Sequence, residues 1–123
     1  MGKLIKLKTN SGIVHIAGIK EKYIRNIAIA AGKCDYIDKI ILFGSCTKTE
    51  CRTDSDIDMA VFGNQSRSKC LTSKKYEEFL KQVFSFEQFS QAYDILYFKT
   101  GTNNKSGIMN EIENGEVLYV RES

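Results

Sequence analysis

Residues 42–62 read LFGSCTKTECRTDSDIDMAVF, two apolar ends separated by turn formers and charges. The first end closes the run Lys39 to Phe43, KIILF, which has the length and residue type expected of a buried strand. Gly44-Ser45 breaks that strand, and Asp56 to Phe62 is the next apolar-rich strand, bracketed by Asp54-Ser55 and Gly63-Asn64. A glycine directly after a strand lets the backbone turn sharply and lets a ligand come close. Ser45 adds a hydroxyl, and a short helix from residue 45 to about residue 51 would aim its free N–H groups at the same place. Together these features predict a phosphate site. It is not a Walker loop, because the G-x-x-x-x-G-K-[ST] spacing is missing.

Asp56 and Asp58 are one residue apart in the predicted strand, so a period of two puts both carboxylates on one side of the sheet. Two like charges there call for a cation, and hard carboxylate oxygens on a rigid strand suit magnesium, which is usually completed by water and substrate phosphates. Asp94, in Tyr93-Asp94-Ile95-Leu96, is an isolated acid in an otherwise apolar strand. If that strand lies beside the first, three carboxylates converge and can hold two metal ions about 3.5–4 Å apart, the arrangement used for in-line phosphoryl chemistry. Each element has a plainer meaning on its own: Gly-Ser is a common turn, Asp-x-Asp is often a solvated edge or a helix cap, and Asp94 could be a strand-end charge. A calcium loop beginning at Asp54 fails at two positions, with Met59 where the loop needs glycine and Gln65 where it needs a bidentate glutamate. The combination of strand, Gly-Ser, ten residues, Asp-x-Asp and a later strand aspartate carries the functional reading.

Working outward, Leu4 to Leu7 and Ile13 to Ile16 read as a hairpin turned at Thr9-Asn10-Ser11-Gly12. Ile19, Tyr23, Ile24, Ile27 and Ala31 recur at helical spacing up to a glycine stop near Gly32. Leu71 to Phe84 reads as a helix with Tyr76, Phe79, Leu80 and Val83 on its core face. Tyr93 to Phe98 is a strand, Lys105 to Glu113 a short helix stopped by Asn114-Gly115, and Val117 to Val120 a last strand. Strands alternating with helices predict an α/β (α+β) domain, a mixed sheet with helices packed on it. The 123 residues, 42% of them hydrophobic, fit one domain over residues 1–123.

Charged residues make up 27% of the chain with both signs interspersed, and the net charge is only +3. No basic block marks a dedicated DNA binder. The opening MGKLIKLKTNSG alternates apolar and charged residues, and no stretch approaches a signal peptide's apolar run or a membrane span. Cys34, Cys46, Cys51 and Cys70 contain no C-x-x-C pair, which predicts reduced thiols in a cytoplasmic protein and no zinc site. His15, in the alternating Ile13-Val14-His15-Ile16, is expected to be a strand residue.

The motif Gly-Ser, ten residues, Asp-x-Asp resembles that of the minimal nucleotidyltransferases of the DNA polymerase β superfamily, and Gly44, Ser45, Asp56 and Asp58 fit it without a gap. The likeness extends to Asp94 and to Ile-Glu-Asn-Gly-Glu-Val-Leu-Tyr at residues 112–119, and leaves the hairpin of residues 1–17 as an elaboration. It implies a nucleotidyltransferase fold and magnesium-dependent transfer of a nucleoside monophosphate from an NTP, commonly ATP, to an acceptor hydroxyl. Where such relatives commonly carry an arginine soon after Gly-Ser and a glycine a few residues on, this chain has Cys46 and Thr49, leaving Lys48 and Arg52 to neutralise the triphosphate. A chain of this length has no room for the extra domain with which larger relatives grip an acceptor. Stand-alone domains of this size in the resembling family are often antitoxins that attach AMP to a tyrosine of a HEPN-type toxin. Two other expectations stand beside that one: a non-catalytic module that neutralises its partner by contact, and a transferase acting on a small molecule or an RNA end.

Overall fold

The computed structural model describes residues 3–102 and 107–122. Strands β1 (Leu4–Thr9) and β2 (Gly12–Ala17) form an antiparallel hairpin closed by the pair Thr9 and Gly12, with Gly12 at φ 126°. The main sheet has four strands in the order β5-β4-β3-β6: β3 (Ile37–Phe43), β4 (Ile57–Gly63), β5 (Tyr93–Lys99) and β6 (Glu116–Val120). β3 runs antiparallel to both β4 and β6, whereas β4 and β5 are parallel. This is the mixed sheet expected from the alternation of elements.

Side-chain parity divides the sheet into two faces. Ile40, Leu42, Ile57, Met59, Val61 and Tyr97 join the larger core with helix α1 (Glu21–Gly32), helix α3 (Lys74–Ser85) and the hairpin. Ile41, Phe43, Ala60 and Phe62 face the other way and are covered by Met109 and Ile112 of helix α4 (Gly107–Glu113). The expected start of that helix at Lys105 lies outside the described residues. Turn residues of the hairpin hold the β6 edge: the Asn10 side-chain amide donates to the Val120 carbonyl at 2.6 Å, and the Ser11 hydroxyl to the Val117 carbonyl at 2.7 Å. These contacts occupy edge carbonyls that would otherwise be free to pair with another strand. His15 is a β2 residue whose Nδ1 lies 3.4 Å from Glu116.

The helices depart from the sequence reading in three details. The expected helix from Leu71 to Phe84 is two helices, α2 (Arg67–Leu71) and α3, because Ser66 and Ser73 each accept a backbone N–H three residues on and start a helix of their own. Ile19 lies ahead of α1 in a short 3-10 turn and is 41% exposed rather than in the core stripe. α1 does end at Gly32, yet that glycine is not left-handed. The Lys33 and Cys34 amides bond back three residues to the Ala30 and Ala31 carbonyls, and this tightened last turn is the stop.

Between α3 and β5 the chain makes a left-handed turn in which Glu87, Gln88 and Phe89 have φ of 53°, 60° and 62°. No glycine announces it. α1 holds the turn in place through Lys22 to Glu87 at 2.7 Å, the Tyr23 and Ser90 hydroxyls at 2.9 Å, and an edge-on Tyr23–Phe86 ring pair.

Candidate active site

β3 delivers Gly44 at its end, and its antiparallel partner β4 places Asp58 opposite Phe43. Gly44 has φ 74°, and a Cβ built there would run into the Asp58 carboxylate, with Asp58 Cγ only 3.2 Å away. The glycine is therefore required twice, by its backbone conformation and by the acid that lies against it. On the other side of β4 the parallel register sets Asp58 directly opposite Asp94. Asp58 thus sits half-buried between the Gly44 turn and Asp94, while Asp56 and Asp94 are exposed.

Asp56 stands one residue ahead of β4 rather than within it, since the strand begins at Ile57. The preceding Ser55 carbonyl is engaged by side chains and leaves the ladder at that point, which the apolar pattern of residues 57–62 does not reveal. Burial raises the Asp58 carboxyl above its ordinary value of 3.8, and the neighbouring charges of Asp94, Asp56 and Glu111 add to the rise. The last of these, on α4, is a fourth acid that the sequence reading missed. Glu111 lies between the two core residues Met109 and Ile112, on a short helix whose placement over the aspartate face only the fold defines.

Among the described residues, no three acidic, histidine or cysteine side chains already form a coordination shell. Register sets Asp58 and Asp94 opposite each other, with Asp56 just ahead of the strand. Hard carboxylate oxygens of like charge held near one another are a donor set that a magnesium ion suits. The residues present fit such an ion.

The segment after Gly44 folds as a 3-10 turn over Gly44–Thr47 and not as a helix reaching residue 51. An α-helix would send the Lys48 amide to the Gly44 carbonyl. Here that carbonyl accepts the Thr47 hydroxyl at 2.8 Å, and the Lys48 amide bonds to Ser45 at 2.9 Å. Lys48 is then extended and ends the turn. Ser45 is half-buried in the turn, and Cys46 points into the core, its thiol pushed up to about 12 by burial. Cys46 is fully buried, so this position presents no charge beside the turn. Lys48 and Arg52 are exposed, and Arg52 pairs with Asp54 at 3.3 Å. Arg52 also lines a groove of about 720 Å³ with Ile19 and the rest of residues Thr49–Asp54. All four cysteines are buried free thiols.

A family model described as Polymerase beta, Nucleotidyltransferase matches residues 6–123. The chain belongs to this nucleotidyltransferase family. No curated protein matches it. Family members transfer a nucleotidyl group from an NTP and generally use a divalent metal. The match begins inside β1 and so takes in most of the hairpin. Among the described residues, no helix is long and apolar enough to cross a membrane.

Sequence reasoning also missed Lys20 and Gln91, both buried at the entrance of the acidic strands. One signal was present: Lys20 lies four residues before Ile24, on the face that α1 otherwise fills with apolar side chains.

Proposed function

We propose that this nucleotidyltransferase moves AMP from ATP to a hydroxyl of a protein partner, with two magnesium ions held by Asp56, Asp58 and Asp94. The observation that carries this reading is the register that sets Asp94 opposite Asp58, with the Gly44 backbone closed against the same carboxylate. Magnesium bound to these acids would lower the acceptor hydroxyl's pKa and neutralise phosphate charge. Gly44 and Ser45 receive the triphosphate, Gly44 by turning the backbone sharply and Ser45 by its hydroxyl. Lys48 and Arg52 supply positive charge, Arg52 by exchanging Asp54 for phosphate.

Asp94, exposed beside the half-buried Asp58, takes the proton of the acceptor hydroxyl. The acceptor oxygen bonds to the α-phosphorus as the bond to the bridging oxygen breaks, and pyrophosphate leaves. Resemblance to stand-alone antitoxins supports a tyrosine of a HEPN-type toxin as the acceptor, which makes the chain an antitoxin.

Incubation with α-labelled ATP and magnesium, with and without a lysate of the source cells, tests the reading. A labelled protein band is expected, and Asp56→Asn or Asp58→Asn is expected to abolish it with the fold intact. Label in RNA or small molecules alone would replace the protein acceptor. A variant that keeps near-full magnesium-dependent activity would sink the site assignment.

A further inference from the structure

Among the described residues, Lys20 is the only charged side chain in the buried set, at 1% exposure. All three of its N–H donors have acceptors: the Thr53 carbonyl at 3.1 Å, the Ser55 carbonyl at 2.7 Å and Gln91 Oε1 at 2.6 Å. Each acceptor is neutral, so the ammonium is solvated by the protein without a counter-ion in contact. Burial of such a charge is costly, and its hydrogen bonds only partly offset that cost. The acceptors belong to the two chain segments that lead into the acidic strands.

Ser55 directly precedes Asp56, and Gln91 stands three residues before Asp94. Gln91 is itself buried, and its side-chain amide donates to the Ser55 carbonyl at 2.9 Å and to Ala92 at 2.7 Å. Beyond this knot, the Ile57 amide meets the Ala92 carbonyl at 3.1 Å, and the next rung of the ladder sets Asp58 against Asp94. Like charges directly opposite one another push neighbouring strands apart. Lys20 grips the two segments that lead into these strands, on the side of the aspartates from which each enters.

We propose that Lys20 is a positioning residue of the metal and nucleotide site, fixing where Asp56 and Asp94 enter the common face by holding residues 53–55 to Gln91. The inference rests on the nucleotidyltransferase reading of the aspartates, and it assigns Lys20 no contact with substrate.

Lys20→Met keeps the stem and removes the three donors. Mn²⁺ alone serves as the probe, titrated into the full chain and followed by the paramagnetic resonance signal of the free ion, with circular dichroism to verify folding. The expected result is an Mn²⁺ dissociation constant raised about 10- to 100-fold, the range for residues that hold metal ligands in place. The magnesium midpoint for labelling should rise in parallel, while kcat at saturating magnesium returns towards that of the wild type. A purely structural role would lower the active fraction and leave both midpoints where they were, which would overturn the inference. If Lys20→Met does not fold, Gln91→Ala decides: it cuts one acceptor and the bridge to Ser55, and unchanged Mn²⁺ affinity in that folded variant also overturns it. A wild-type chain that neither binds Mn²⁺ nor transfers label removes the aspartate reading and this inference with it. Wild-type binding with an unshifted Lys20→Met curve removes this inference alone.

Discussion

A side chain on residue 44 would have to share space with the Asp58 carboxylate, and residue 44 is also in the left-handed region that disfavours a Cβ. The two penalties can be separated. Gly44→Ala should lose about 1–2 kcal/mol of stability from its backbone conformation alone, with the collision adding to that. Asp58→Ala removes the collision partner, so the double variant Gly44→Ala, Asp58→Ala should be more stable than the sum of the two single effects predicts. Urea unfolding of all four proteins measures the coupling. Strict additivity would mean that the Asp58 side chain swings clear at no cost and that Gly44 serves only its turn. These two residues are legible in the sequence because both signals are local: a glycine after an apolar run, and acids at a spacing of two. The spacing of Lys20 hints at its burial, but its partners are not legible there, since Thr53, Ser55 and Gln91 are between 33 and 71 residues away along the chain.

At the scale of elements, sequence pattern locates strands better than it locates turns. β3, β4, β5 and β6 stand out because each carries an apolar run bounded by polar or turn-forming residues. The division of α2 from α3 hinges on whether Ser73 caps a helix or sits inside one, and both are compatible with the same apolar stripe. The left-handed turn at Glu87, Gln88 and Phe89 leaves no trace in the sequence, because tertiary contacts from Lys22 and Tyr23 hold ordinary residues in a conformation usually given to glycine. Gln88 has the middle position of that turn. Gln88→Gly relieves the left-handed penalty while adding some unfolded-state entropy, and the difference should stabilise the fold by about 0.5–1 kcal/mol. Thermal unfolding followed by circular dichroism reads this directly. A loss of stability would show that the Gln88 side chain contributes more than its backbone conformation costs.

Across the whole molecule, acids in opposite circumstances lie at the two ends of β3, Asp38 on the strand itself and Asp58 on β4 opposite Phe43. At the first end, Asp38 accepts from Thr100 at 2.6 Å, from Asn64 at 3.1 Å and from the Arg121 guanidinium at 2.9 Å, tying together the chain that leaves β5, β4 and β6. Burial alone would push Asp38 up, but these donors outweigh it and hold the carboxyl below its ordinary range. At the other end Asp58 is raised, by burial first and then by Asp94, Asp56 and Glu111. A raised carboxyl means that the folded chain binds the proton more tightly than the unfolded chain. Stability therefore falls as pH climbs from the ordinary carboxylate value of 3.8 through the higher folded value of Asp58. For Asp38 the sign reverses: its contribution is complete above the ordinary value and is lost as pH drops through the lower folded one. With divalent metal chelated, acidification from neutral pH should first relieve Asp58 and then undo Asp38, giving a stability maximum in the acid range. Asp58→Asn should flatten the neutral side of that maximum, and Asp38→Asn the acid side. Urea unfolding in EDTA across pH tests both limbs. Adding magnesium should move the maximum towards neutral pH, because a bound cation favours the ionised acids that the metal-free fold disfavours. A neutral limb that survives Asp58→Asn would place the repulsion elsewhere in the molecule.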